Sequence, residues 1–194
     1  MTEARLKKMK TVLSRRQPDL TVVMENIHDP HNVSAILRSA DAVGLVGIHL
    51  IYTYEEFPSF GKKSSASATK WIEKKRFASV QECYHALRKQ GFLICATHLA
   101  KDSASLYDLD LTKKIALVFG NEHRGVSDEA AELSDVNFQI PMTGMIQSLN
   151  VSVACAVTLF EAFRQRSLKK FYLKQRLPSK ERRRLLEEWT LRKR

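Results

Sequence analysis

Four short runs, Leu20–Met24, Ile48–Tyr52, Phe92–Ala96 and Ile115–Phe119, are apolar almost throughout, and stretches with helical spacing separate them. A strand that is apolar along its whole length must be covered on both faces. Helices between strands supply that cover. The chain is therefore expected to be α/β, with a mostly parallel sheet and helices on both faces. A further strand is expected over Asn137–Ile140.

The intervening segments carry their own signals. Residues 3–17 place Leu6, Met9, Val12 and Leu13 at helical spacing within a basic segment, and Gln17-Pro18-Asp19 breaks it. After a loop from Glu25 to His31, Asn32 opens a helix whose apolar face is Val33, Ile36, Leu37 and Ala40, ending near Gly44. Residues 53–70, with Gly, Pro and many Ser and Lys, read as a long surface loop. Ser79 and Glu82 form a capping box for a helix that Gly91 ends. Ser127 caps a short helix reaching Leu133. The helix expected over Leu149–Arg166 is apolar on nearly all sides, so more than one face should be buried, as at a subunit interface. A last helix, about 179–193, has Leu185, Leu186 and Trp189 to dock one face and Arg182–Arg184 to present charge. The resulting outline is a basic N-terminal helix (1–17), an α/β domain (18–166) and a basic helical extension (167–194).

The net charge of +11 is concentrated at the ends: +5 in residues 1–16 and +10 in 164–194, leaving −4 between them. A small-molecule site flanked by arms for a polyanion suits this distribution, and nucleic acid is the expected polyanion. The arms lack the broad apolar face of a membrane-surface helix, and no stretch is long and apolar enough to span a bilayer. Met1–Arg16 has no apolar run behind it and does not read as a signal peptide. Cys83, Cys95 and Cys155 are far apart and form no Cys-x-x-Cys. They indicate neither a zinc site nor a disulfide framework, and read as small core residues in a reducing cytoplasm. No metal is expected. No Gly-x-Gly-x-x-Gly occurs, so a nucleoside-like cofactor would need a pocket of another kind.

Three constellations carry candidate chemistry. In His28-Asp29-Pro30-His31-Asn32-Val33-Ser34-Ala35-Ile36-Leu37-Arg38, the residues Ser34, Arg38 and Asp41 fall on one side of the helix. Taken alone, this is an ordinary helix start with Asn32 as N-cap and Arg38 paired to Asp41. Phe119-Gly120-Asn121-Glu122-His123-Arg124-Gly125-Val126-Ser127 follows a strand and precedes a helix, and its glycines allow close backbone approach to a ligand. In Ile140-Pro141-Met142-Thr143-Gly144-Met145-Ile146-Gln147-Ser148-Leu149-Asn150, Pro and Gly favour an irregular loop. Ser148 and Asn150 there can bond free backbone groups at the helix start, or a ligand.

In this order and at strand-to-helix junctions, the three segments closely resemble the signatures of the TrmH (SpoU-type) RNA ribose methyltransferases of the SPOUT class. The matches are Asn32 and Arg38 in the first; Gly120, Glu122 and Gly125 in the second; Ile140, Pro141, Gly144, Ser148, Leu149 and Asn150 in the third. Arg15-Arg16-Gln17-Pro18-Asp19-Leu20-Thr21 and the basic tail resemble the bacterial branch that methylates guanosine 18 in the tRNA D-loop. One departure falls at Ser67-Ala68-Thr69-Lys70-Trp71, where relatives carry Gly-Ser before the Trp.

The resemblance implies a SPOUT fold with a C-terminal trefoil knot, a rare exception to unknotted topology. S-adenosyl-L-methionine is then expected in the knot, at Thr97, Gly120, Ile140 and Leu149. It further implies a homodimer whose site is completed across the interface. Catalytic positions carried over are Arg38, Asn32, Glu122, Ser148 and Asn150. Arg38 is either the base for the ribose 2′-OH or, since a guanidinium has a pKa above about 12, a permanent charge that binds phosphate and acidifies the hydroxyl. Glu122 is expected mainly to orient Asn32 and Arg38. Arg5, Lys8, Arg15, Arg16, His31, Arg164, Arg166, Lys169 and Lys170 are candidate RNA contacts. A 23S rRNA ribose methyltransferase is the nearest rival, but such relatives commonly carry an extra N-terminal domain where this chain has a short basic helix. A catalytically silent RNA-binding protein on the same fold is a rival of another class. Asn32, Arg38, Glu122, Ser148 and Asn150 occurring together argue against it.

Overall fold

The computed structural model describes residues 1–58 and 70–192. Most of the loop expected over 53–70, and Ser67–Thr69 of the family departure, lie outside the described residues.

The described strands are β1 (Leu20–Glu25), β2 (Gly47–Ile51), β3 (Glu73–Phe77), β4 (Leu93–Thr97), β5 (Ala104–Ser105), β6 (Ile115–Phe119) and β7 (Val136–Gln139). The helices are α1 (Glu3–Ser14), α2 (Pro30–Ala42), α3 (Val80–Lys89), α4 (Asp128–Glu132), α5 (Val151–Leu168) and α6 (Ser179–Leu191). The strands form one sheet in the order β3-β2-β1-β6-β4-β7-β5, and each pairing is parallel.

Strand alternation explains the layers. Val22 and Met24 of β1 point to the face covered by α2 and α5, where Ile36, Leu37, Leu159 and Ala162 share one core with them. Val23 points to the other face and packs with Val80, Tyr84 and Leu87 of α3 and Ala130 of α4. The expected α/β sheet covered on both faces is thus the observed architecture.

Several boundaries differ, for local reasons. Helix α2 begins at Pro30, two residues before Asn32. Asp29 is its N-cap, accepting a hydrogen bond from the His31 N–H at 2.7 Å, and Pro30 occupies the first turn, where no N–H is needed. Asp41 pairs with Arg16 at 2.6 Å and not with Arg38. Helix α5 starts at Val151, capped by Asn150. The capping box of α3 is present: Ser79 accepts from the Glu82 N–H at 3.1 Å, and Glu82 reaches back to the Ala78 N–H at 3.2 Å. Gly91 follows with φ +81°. Strand β3 has no counterpart in the sequence expectations, because Glu73-Lys74-Lys75-Arg76-Phe77 has no apolar run. It is the sheet's polar edge, where charged side chains face water.

The two ends of the chain meet. Met9 and Leu13 of α1 pack with Leu177, and with Leu185 and Trp189 of α6, in a small separate core. Arg16 and Arg166, expected to contact RNA, are buried and bonded internally. Arg166 is 0% exposed; its guanidinium donates to Asp19 Oδ1 at 2.6 Å and to the carbonyls of Leu111 and Lys113 at 2.9 and 2.7 Å. Arg16 is 1% exposed and donates to Asp41 and to the Leu45 carbonyl, each at 2.6 Å. Both cations tie helix ends to strand ends, so their charge is already used within the fold. Cys83, Cys95 and Cys155 are buried free thiols, and burial pushes Cys83 and Cys95 up to about 12.

Candidate active site

From β1 the chain leads to β2 and β3 on one side of the sheet, and β6 begins the other half, so the order reverses between β1 and β6. The crevice at the carboxyl ends of strands around such a reversal is where open α/β sheets bind ligands. Here the loops after β4, β6 and β7 enclose a pocket of about 450 Å³. Its walls include Thr97, Phe119, Gly120, Glu122, Ile140, Ser148 and Leu149. The four residues expected at the cofactor, Thr97, Gly120, Ile140 and Leu149, all line it.

The loop after β6 is locked tightly. A Cβ at Gly120 would lie 2.1 Å from the backbone of Gly125 and Val126, so a side chain cannot be accommodated. Gly125 has φ +72°, and its N–H donates to the Asn121 carbonyl at 2.8 Å. Asn121 Nδ2 donates at 2.8 Å to the carbonyl of Asn26, a residue at φ 50° directly after β1. Ser127 donates from both its N–H and hydroxyl to the Glu25 carboxylate, at 2.9 and 2.6 Å. Sequence reasoning does not single out Asn121 and Asn26 as the residues that lock this loop; the one signal available is an Asn at a turn, which tolerates the left-handed region.

Beside the pocket a polar chain joins the three motifs. Asn32 Nδ2 donates to Glu122 Oε1 at 3.0 Å, and Asn150 Nδ2 donates to Asn32 Oδ1 at 3.0 Å. Asn150 Oδ1 accepts from the Ser152 N–H at 2.9 Å and so caps α5. The backbone N–H groups of Asp29 and His28 also donate to Glu122, at 3.2 and 3.4 Å, and His28 Nδ1 lies 3.1 Å from Oε2. Burial pushes the Glu122 carboxyl up, but the hydrogen bonds from Asn32 and the backbone outweigh it and hold the group below its ordinary value. Glu122 is therefore a carboxylate acceptor that fixes the amide of Asn32.

Not every candidate is brought to this place. Arg38 is exposed on α2, does not line the pocket, and has no hydrogen bond or ion pair among the described residues. Ser148 lines the pocket but is exposed and has no hydrogen-bond partner among the described residues. The loop leading to it is open: Met145 is 99% exposed and Ile146 66%. A Cβ added at Gly144 would meet nothing within 4 Å, and its backbone is not left-handed, so sterics within one chain do not explain a glycine there. Lys8, Arg15, His31, Lys169 and Lys170 are exposed. Arg164 is exposed but paired to Glu161 at 2.7 Å, and Arg5 donates to the Arg192 carbonyl at 2.8 Å.

Fold and pocket define an α/β protein with a small-molecule site at a sheet reversal, built without a Gly-rich phosphate loop. Residues 19–160 match the SpoU rRNA Methylase family, and the chain belongs to it. It is 46% identical over 188 residues to the tRNA (guanosine(18)-2′-O)-methyltransferase of Thermus thermophilus, covering 97% of this chain and 96% of that one. Among solved structures it resembles the A. aeolicus TrmH/SpoU tRNA modifying enzyme, with a TM-score of 0.91, 37% identity and 98% of each chain covered. The SpoU methyltransferase AviRb of Streptomyces viridochromogenes, solved with AdoMet, matches with a TM-score of 0.67 and 29% identity over 80% of this chain and 64% of that one.

Proposed function

We propose that this protein transfers a methyl group from S-adenosyl-L-methionine to the ribose 2′-OH of guanosine 18 in tRNA. The observation that carries the reading is the Glu122–Asn32–Asn150 chain standing beside a pocket lined by Thr97, Gly120, Ile140 and Leu149. The full-length likeness to an enzyme named for this reaction supports the substrate.

The residues present fit the cofactor. A cavity of about 450 Å³ lies within the ~300–1,000 Å³ usual for small-molecule sites. Gly120 keeps its loop tight enough to form one wall. When bound, S-adenosyl-L-methionine supplies a methyl group already activated on a sulfonium. The protein's tasks are then alignment and help with the hydroxyl proton. Asn32, fixed between Glu122 and Asn150, sets where α2 starts relative to the pocket. The Arg38 guanidinium binds a phosphate beside the target ribose and eases loss of the 2′-OH proton.

Because Arg38 lies outside the pocket of its own chain, the reading places it at the pocket of a second copy in a homodimer. The apolar groups left uncovered on α5 support that assembly: Val153, Phe160 and Phe163 are 47%, 52% and 36% exposed. The basic ends serve as RNA arms through Lys8, Arg15, Lys169 and Lys170, and His31 in the first turn of α2 adds a contact. A C-terminal trefoil knot and a cytoplasmic location, where buried thiols stay reduced, belong to the same reading. No described helix is long and apolar enough to cross a membrane.

The test is to incubate the purified protein with S-adenosyl-L-methionine and an unmodified tRNA transcript, and to map ribose methylation at each nucleotide. One methyl at guanosine 18 is expected. A methyl elsewhere discards the position; methylation of 23S rRNA fragments alone discards the tRNA substrate.

A further inference from the structure

A second hollow, of about 630 Å³, lies where α1, α6 and the residues leading into β3 meet, and it shares no lining residue with the candidate active site. One wall is aromatic. Trp71 is half-buried, and Trp189 backs it edge-on with ring centroids 5.1 Å apart. Another wall carries the cations Arg5 and Lys8, beside the Arg16–Asp41 pair, whose charges offset one another. Lys8 is exposed and has no ion pair among the described residues. Arg16 is 1% exposed, and its guanidinium carbon lies 5.2 Å from the centre of the Trp189 ring. Its two terminal nitrogens are bonded, but its Nε has no hydrogen-bond partner among the described residues. A buried donor without a partner is uncommon in folded proteins.

Positive charge continues past the rim. Lys74 of β3 is held below its ordinary value by burial and by the charges of Arg192 and Arg76. Arg5, bonded to the Arg192 carbonyl, links this cluster to the hollow. An aromatic platform beside converging cations is the arrangement that holds an unpaired nucleotide, since each base has a face to stack and each phosphate a charge to neutralise.

We infer that this hollow is a subsite for one unpaired nucleotide of the RNA substrate, with its base stacked on Trp71 and its phosphate on Arg5 and Lys8. The inference rests on the RNA-methyltransferase reading above and adds a second, remote point of attachment. The subsite also gives the meeting of the chain's two ends a use: neither α1 nor α6 alone encloses the hollow.

The chain has two tryptophans, Trp71 and Trp189, and both line this hollow. Intrinsic fluorescence of the full-length protein therefore reports on it directly. Saturating unmodified tRNA transcript is expected to shield tryptophan from acrylamide quenching. Trp71→Leu is expected to weaken tRNA binding about fivefold or more, the loss of one stacked base, while Trp71→Phe stays within about twofold. Undiminished quenching with tRNA bound and methylated overturns the subsite but leaves the methyltransferase standing. So does a Trp71→Leu protein that melts at the wild-type temperature and binds tRNA equally well. A wild-type protein that fails both to bind and to methylate tRNA overturns the parent reading, and the subsite with it. If Trp71→Leu does not fold, the wild-type quenching decides.

Discussion

The side chains of Asn32 and Asn150 hydrogen-bond at 3.0 Å across 118 residues of chain. The bond joins the first turn of α2 to the N-cap of α5, and Glu122 holds the other end of the Asn32 amide. One amide thus fixes the relative positions of three loops. Asn32 is 7% exposed, so its own amide has little access to water in place of these partners.

Asn32→Ala should leave Glu122 and Asn150 each short of a partner. A stability loss of about 1–3 kcal/mol is expected. Turnover should fall on the order of 100-fold, because small misplacements of reacting groups carry costs of that size. Single-turnover methylation at saturating cofactor, beside a thermal melt, separates the two effects.

Arg38 makes no internal bond among the described residues, so replacing it should leave the melting temperature nearly unchanged. Arg38→Ala and Arg38→Lys should both abolish turnover while S-adenosyl-L-methionine still binds by calorimetry. Near-normal turnover in the Lys variant would rule out a role specific to the guanidinium.

Gly120→Ala places a Cβ 2.1 Å from the Gly125 backbone. The loop must open, and cofactor affinity should drop at least about tenfold, a difference of about 1.4 kcal/mol. Equilibrium binding measures it. Gly144→Ala, with open space around it, should cost the isolated fold little.

Glu122 has a lowered pKa in the folded protein. Its ionised form therefore stabilises the fold above the unfolded value of about 4.3, and that contribution is lost as pH falls through the folded value. Glu122→Gln should be less stable than the wild type at neutral pH, and the difference should close under acid. Paired melts from pH 7 down to pH 3 test the sign; a gap that widens on acidification would refute it.

Arg166 and Arg164 are neighbours in sequence with opposite roles. Arg166→Ala leaves the buried Leu111 carbonyl without its donor and removes one of the two arginines on Asp19, which keeps Arg176, so a loss of about 1–3 kcal/mol is expected. Arg164→Ala removes an exposed, solvent-screened pair and should change stability little. Denaturant melts of the two variants should differ accordingly.

The apolar runs at 20–24 and 115–119 make a covered parallel sheet legible, because a strand without polar positions has no alternative. Capping signals at Ser79 and Ser127 are legible too, since a cap acts within three residues. Strand β3 is not, because an edge strand needs no apolar pattern. Charge counting likewise does not separate Arg166 from Arg164, as composition carries no burial.

What the sequence determined by itself was local: alternation of strands with helices, caps, the glycine-dependent loop after β6, and the residue types of the three motifs. Tertiary structure alone decided which of them touch. Only the sheet order brings the ends of β4, β6 and β7 around one pocket, and only the packing of α2 against α5 lets Asn32 reach Asn150. The same packing turned two arginines of the basic ends into buried ties, and put Trp71 and Trp189 into one hollow. Hydrogen bonds and ion pairs act over a few ångströms, and a linear chain does not specify distance between residues a hundred positions apart until it folds.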